Sequence, residues 1–252
     1  MEYILNNLVA KRVDKDIYRF DGKQIKLWRE NFPKANVLNE ALNQARVEEA
    51  TDLNIPKLIE VTKIENRWGI VSEFIEGKPL SELMDEHPEK EDEYLNTFID
   101  IQLEVLSKQV PLLNRIKDKF KRKINESEIL DDTTRYELLQ RLDSMEDENK
   151  LCHGDFNPSN IIITESGEHY IIDWAHVTSG NASADAARTF LLFSIQGKEE
   201  LANKYLEVFS KKSGISVGNI QRWIPIVAAT QMMKKQDNQE FLKHWIDVVE
   251  FE

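Results

Sequence analysis

His153-Gly154-Asp155, Asn160 five residues beyond that aspartate and Asp173 thirteen further on supply one candidate base and two oxygen ligands suited to magnesium. Asn160 leads into Ile161-Ile162-Ile163, and Tyr170-Ile171-Ile172 runs into Asp173, with Glu165-Ser166-Gly167 between them. Two apolar runs around a polar, glycine-containing link predict an antiparallel hairpin. Antiparallel pairing sets the start of one strand beside the end of the next, so Asn160 and Asp173 are expected to meet at one end. Asp155 falls in the loop just ahead. The arrangement suits phosphoryl transfer, where the transferred group is anionic and offers little covalent chemistry. A metal on the phosphates and a carboxylate that orients the attacking hydroxyl and accepts its proton then carry the reaction.

His-Gly-Asp, four residues, Asn, a hairpin and then Ile172-Asp173-Trp174 resembles the aminoglycoside phosphotransferase and choline kinase family. The resemblance implies an α+β, bilobal, protein-kinase-like fold. A small strand-rich N-terminal lobe would carry one main helix, and a larger, mostly helical C-terminal lobe would carry the catalytic loop and the β-hairpin. It implies Asp155 as catalytic base, Asn160 and Asp173 as Mg²⁺ ligands, and His153 as a hydrogen-bonded brace of the loop. It implies an enzyme, a small-molecule kinase using ATP and Mg²⁺ to phosphorylate a hydroxyl of an aminoglycoside, amino alcohol, sugar or related metabolite. Ile172-Asp173-Trp174 replaces the Asp-Phe-Gly of protein kinases. Asn157 stands where those kinases carry a lysine two residues after the aspartate, so that phosphate contact is absent or supplied elsewhere.

The elements that must position these residues read as follows. Leu8–Arg12, Ile17–Phe20 and Gln24–Trp28 are strand candidates, with Asp21-Gly22 as a hairpin turn. Asn36–Ala50 is helical in pattern, with Leu38, Ala41, Leu42 and Ala45 forming its apolar stripe. Leu58–Lys63 and Trp68–Glu73 complete five strands. Ile75-Glu76-Gly77-Lys78-Pro79 is punctuated as a hinge. The expected division is a nucleotide-binding lobe at 1–77 and a catalytic and acceptor-binding lobe at 78–252. Beyond the hinge, Tyr94, Leu95, Phe98, Ile99, Ile101, Val105 and Leu106 fit one helix, which Pro111 ends or kinks. Asp131 or Asp132 caps the helix carrying Tyr136, Leu139, Leu142 and Met145. Asp185–Ile195 reads as a buried helix, and further helices fall around 197–211, 218–234 and 238–250. The basic run Lys117–Lys123 reads as a solvated helix face.

The nucleotide phosphates need a cation as well. Lys26 occupies the third candidate strand, the position of the family's phosphate-binding lysine. An acidic residue on the following helix should brace it: Glu40 is the first choice, with Glu48 and Glu49 as rivals. The family places the adenine on the backbone of Glu73 to Ile75. Lys23, beside the turn glycine, should be solvated. Val13-Asp14-Lys15-Asp16, between the first two strands, contains no glycine, so backbone amides approach a phosphate less easily there. Asp185 resembles the family aspartate that braces the catalytic loop, with a helix N-cap as its structural alternative.

Composition narrows the class. The chain has 252 residues, 41% apolar and 31% charged, with 33 basic against 45 acidic residues and a net charge of −12. A broad nucleic-acid footprint is not expected at this charge, because phosphate binding needs basic clusters and the one basic run, Lys117–Lys123, reads better as a solvated face than as contact with an anionic partner. The acidic surface would favour a cationic acceptor by steering, although ordinary solubility explains it better. Asp247-Val248-Val249-Glu250-Phe251-Glu252 could meet an acceptor's amines, or is a frayed acidic end. Cys152, the single cysteine, fits a small buried residue and rules out a disulfide framework. No signal segment or membrane span is legible, so a cytoplasmic monomer or homodimer is expected. Among the histidines, His169 and His244 should be exposed, and His176 could line an acceptor cleft. The competing class is a nucleotide-binding pseudokinase acting as sensor or scaffold, kept open by the glycine-free loop and by Asn157.

Overall fold

The computed structural model describes residues 3–232 and 238–247. In chain order its elements are β1 (Leu8–Lys11), β2 (Lys15–Phe20), β3 (Lys23–Trp28), α1 (Lys34–Ala50), β4 (Leu58–Ile64), β5 (Arg67–Glu73), β6 (Lys78–Pro79), α2 (Leu80–Glu86), α3 (Glu91–Ser107), α4 (Ile116–Glu126) and α5 (Asp132–Ser144). There follow β7 (Lys150–Cys152), β8 (Ile161–Ile163), β9 (His169–Ile171), β10 (Thr178–Gly180), α6 (Ala182–Ile195), α7 (Glu199–Ser213), α8 (Val217–Gln221), α9 (Ile224–Met232) and α10 (Gln239–Asp247). The protein is α+β: an antiparallel sheet with one helix, then a mostly helical part. The chain forms two compact units. One runs to Pro88 and takes up Pro158–His176; the other comprises Glu89–Asn157 and the chain from Val177 onward.

In the first unit, β1-β2-β3-β5-β4 form a five-stranded antiparallel sheet. The Asp21-Gly22 turn, both residues at positive φ, sets the β2–β3 register and pairs Ile17 with Lys26. Side chains alternate across the sheet. Ile25, Leu27, Ile64 and Val71 pack on one face with Tyr3, Leu5, Tyr18 and Phe20 against them. Trp28 and Ile70 pack on the other with Val37 and Ala41 of α1. Lys26 shares the parity of Trp28 and so belongs to the α1 face.

The apolar stripe expected of α1 is not its inward face. Leu38 and Leu42 are exposed, while Val37, Glu40, Ala41, Asn43, Gln44 and Val47 are buried. The helix is turned by one residue because its inward face carries polar groups with buried partners. Asn43 donates to the Ala175 carbonyl at 3.4 Å, and Gln44 to that of Pro56 at 2.7 Å. Hydrophobicity therefore does not mark the inward face.

A second, three-stranded sheet in the same unit has the order β6-β8-β9. The hinge segment is thus drawn into a strand pair, Lys78 opposite Ile163 and Pro79 opposite Ile162. A Cβ on Gly77 would lie 2.4 Å from the Ile163 carbonyl oxygen, so the approach admits only glycine.

In the second unit, α6 is buried along nearly its whole length, and all nine residues of α9 are buried. Helix α3 buries Leu95, Phe98, Ile99, Ile101, Val105 and Leu106, and it ends at Ser107, ahead of Pro111. Helix α4 turns Ile116, Phe120 and Ile124 inward, leaving Lys121 and Arg122 exposed. Asp131, not Asp132, caps α5, accepting the Thr134 N–H at 2.8 Å. The single helix expected at 218–234 is two, α8 and α9, broken before Ile224-Pro225. Proline fits the first turn of a helix, where its missing N–H costs nothing, and not the interior. The last turns expected for 218–234 and 238–250, and all of the acidic C-terminal run except Asp247, lie outside the described residues. Among the described residues, no helix is long and apolar enough to cross a membrane.

Candidate active site

The candidate residues form two clusters, one in each unit. In the first unit, Lys26 Nζ donates to Glu40 Oε1 at 2.8 Å and to Asp173 Oδ1 at 3.2 Å. Glu40 is therefore the partner; Glu48 instead accepts the Leu58 N–H at 2.9 Å, and Glu49 is exposed. Burial alone would push the Lys26 ammonium down. Asp173 and Glu40 more than offset it and hold the group above its ordinary 10.5. Lys26 is thus favoured as a cation, held between two carboxylates.

Asp173 is delivered by the hairpin. Ile161 pairs with Ile171, and the Ile172 N–H donates to the Asn160 carbonyl at 3.0 Å. Asn160 therefore lies across from Ile172, one residue short of Asp173. The Asp173 backbone is left-handed, at φ 66°. Asp tolerates that conformation better than most residues, and such strain gathers at functional sites. Trp174, almost fully buried, donates its indole N–H to the Ile171 carbonyl at 3.0 Å and anchors the turn. Among the described residues, no three His, Cys, Asp or Glu side chains gather as a metal cage. One carboxylate and one amide oxygen is a hard, sparse donor set. It fits Mg²⁺, which keeps water and phosphate oxygens for its remaining positions.

Lys15, which no sequence motif marks, also belongs to this cluster. Its Nζ lies 3.3 Å from Glu40 Oε1 and 3.8 Å from Asp173 Oδ1, and 5.1 Å from the Trp28 ring centroid. The signal was present in the hairpin register: with Ile17 opposite Lys26, Lys15 falls on the same sheet face.

In the second unit, the loop His153-Gly154-Asp155 is held from behind. Asp185 Oδ1 accepts the Gly154 N–H at 2.7 Å, and Gly154 adopts φ 77°. Asp185 sits inside α6 rather than capping it. The N-cap is Asn181, which accepts the Ser183 N–H at 2.8 Å. Burial raises the Asp185 carboxyl, partly offset by the Gly154 N–H and by His153. Gln102 donates to Asp185 at 3.2 Å and accepts from the Tyr205 hydroxyl at 2.8 Å, so a buried polar network reaches the loop. His153, fully buried, accepts the Asp155 N–H on Nδ1 at 3.3 Å.

Asp155 itself meets Arg188, whose Nη2 donates to Oδ1 at 3.1 Å. Burial lowers this guanidinium, against the pull of Asp155. Arg188 is the second residue left unread in the sequence; its spacing, one helical turn after Asp185, put both on one face of α6. Asn157 donates to the Asp155 carbonyl at 2.9 Å, closing the loop on itself. Cys152 is fully buried with its thiol pushed well up by burial, and its Sγ donates to the Asn181 carbonyl at 3.5 Å.

At the hinge, Glu73 is bonded on both sides to Lys57, its N–H to the carbonyl at 3.0 Å and its carboxylate from the N–H at 3.1 Å. Ile75 lines an open groove with Phe74, Thr164 and Tyr170. Lys23, expected in solvent, is only 19% exposed in its side chain and faces Asp21 at 3.8 Å. His169 opens β9 and is half-buried, because strand pairing with Ile163 draws it in from the turn. His244 is exposed, and His176 is half-buried in the short 3₁₀ turn after Asp173.

With this geometry in hand, the chain can be set beside known proteins. The sequence signature of the phosphotransferase enzyme family matches residues 28–216. The protein belongs to that family and is a small-molecule phosphotransferase. Among solved structures, it is similar to a thermostable mutant of aminoglycoside phosphotransferase APH(4)-Ia, at 12% identity and a TM-score of 0.69, over 95% of this chain and 92% of that one. Aminoglycoside-3'-phosphotransferase of type VIII matches at 15% identity and 0.65, over 91% and 93%. Choline kinase LicA from Streptococcus pneumoniae matches at 15% identity and 0.60, over 98% and 94%. These likenesses establish a kinase-like fold. A form of the APH(4)-Ia protein has been crystallised with ADP and hygromycin B. No curated protein sequence matches the chain.

Proposed function

We propose that this protein transfers the γ-phosphate of ATP to a hydroxyl of a small molecule, with magnesium. The observation that carries the reading is the Lys26–Glu40–Asp173 cluster, at 2.8 and 3.2 Å, beside Asn160 at the hairpin end. In this reading Lys26 positions the α- and β-phosphates, and Glu40 holds it extended. Asp173 and Asn160 hold the magnesium ion, which neutralises charge on the phosphates when bound. Asp155 orients the acceptor hydroxyl and takes its proton, with His153 and Asp185 fixing the loop. Backbone of Glu73 to Ile75 receives the adenine, and the hinge separates a nucleotide-binding part, 1–77, from an acceptor-binding part, 78–252.

Charge is the one guide to the acceptor class, and it is a weak one, since ordinary solubility also explains it. A net −12 favours a cationic alcohol, an aminoglycoside or amino alcohol, over a neutral sugar. The test is phosphorus NMR on purified protein with Mg²⁺ and ATP against aminoglycosides, amino alcohols and sugars. A new phosphate-ester resonance with one cationic class supports the reading. Tight ATP binding with no ester from any class would instead favour a nucleotide sensor.

A further inference from the structure

The loop between β1 and β2 has no glycine, so side chains stand where backbone amides would have to approach a phosphate. It is also strapped down. Arg29 donates from Nη2 to the Arg12 carbonyl at 3.0 Å, from Nε to that of Val13 at 3.4 Å, and from its backbone N–H to that of Asp14 at 2.9 Å. Its Nη1 pairs with Asp16 Oδ2 at 2.6 Å. Three consecutive carbonyls are thereby committed to one residue just past β3, two to its side chain and one to its backbone N–H. A loop held this way is not a glycine-lined flap free to fold over a nucleotide.

Immediately after it comes Lys15. Glu40 Oε1 serves both lysines, Lys26 at 2.8 Å and Lys15 at 3.3 Å. One carboxylate suffices to brace Lys26, so the second ammonium adds a charge that the brace does not need. The Trp28 ring face lies under the Lys15 ammonium, and the side chain keeps 16% exposure against 10% for Lys26. Two cations here face one carboxylate proposed for the metal. A lysine brings three donors on a flexible stem, which reach an anion without close backbone approach.

We propose that Lys15 is a second phosphate-binding cation, replacing the amide contacts that a glycine-rich loop would make to the nucleotide. The proposal rests on the nucleotide-dependent reading above. With a triphosphate and its metal bound, Asp173 would hold the metal, and the Lys15 ammonium, now 3.8 Å from Asp173 Oδ1, would pair with phosphate oxygens.

The experiment is calorimetric titration of the full chain with Mg-ATP and, separately, with adenosine, for wild type, Lys15→Met and Lys15→Arg. Loss of one charge-assisted contact should weaken Mg-ATP about tenfold or more in Lys15→Met. Adenosine affinity should stay within about twofold, and Lys15→Arg should recover most of the ATP affinity, since a guanidinium supplies the charge. An unchanged ratio of ATP to adenosine affinity in Lys15→Met overturns the proposal, as does equal loss of both, which marks a structural role. Wild type that binds adenosine but gains nothing from phosphates sinks the nucleotide reading itself, a result distinct from either.

Discussion

Around Lys26, carboxylates hold a cation; in the loop around Asp155, a cation and a buried carboxylate hold a carboxylate and its backbone. The first cluster assembles Lys15, Lys26, Glu40 and Asp173 from two strands, a helix and a hairpin end, with two positive charges against two negative. Its members are mutually compensating, so burial is tolerated. The second is a tight turn whose geometry comes from hydrogen bonds to the main chain: Gly154 to Asp185, Asp155 to His153, Asn157 to Asp155. The contrast separates two tasks. Holding a polyanion calls for fixed charge, whereas presenting one carboxylate oxygen calls for a fixed backbone.

Substitutions sharpen or break that contrast. The largest effect is expected for Lys26→Met. Removing a fixed electrostatic donor should cut phosphate transfer by about 100- to 1000-fold and weaken Mg-ATP; initial rates and calorimetry would check both. Asp185→Ala attacks the other task. It leaves the Gly154 N–H without its acceptor, at about 1–3 kcal/mol, and should lower Tm and kcat while Mg-ATP affinity stays close to wild type. Equal loss of nucleotide affinity would erase the distinction. Gly77→Ala forces a methyl against the Ile163 carbonyl and should destabilise by about 1–3 kcal/mol in urea unfolding. Smallest is Arg188→Met, which removes the guanidinium from Asp155 Oδ1. Here kcat should fall about tenfold at unchanged KM for ATP, with partial rescue by Arg188→Lys.

Legibility in the sequence followed distance along the chain. The His153-to-Asp173 segment was readable because spacing and turn chemistry are local. The strands were readable for the same reason, and Asp21-Gly22 even carried the register that places Lys15 beside Lys26. Helix α1 was misread in its face. Its inward side holds Glu40, Asn43 and Gln44, whose partners at Lys26, Ala175 and Pro56 are tertiary and leave no periodic trace. Glu40 was the first choice over Glu48 and Glu49, although the helical stripe did not separate them; its reach to Lys26 does. Arg188 hid in a mostly apolar helix, where its one basic residue reads as incidental until the loop it serves is folded against it.

The most direct test of the division of labour is a paired measurement on Asp155→Asn and Asp173→Ala: Mg-ATP affinity by calorimetry and phosphate transfer by phosphorus NMR. Asp155→Asn should bind Mg-ATP within about twofold of wild type and lose transfer by about 100-fold or more. Asp173→Ala should lose Mg-dependent nucleotide affinity. Transfer that survives in Asp155→Asn, or nucleotide affinity lost equally in both, would contradict the account.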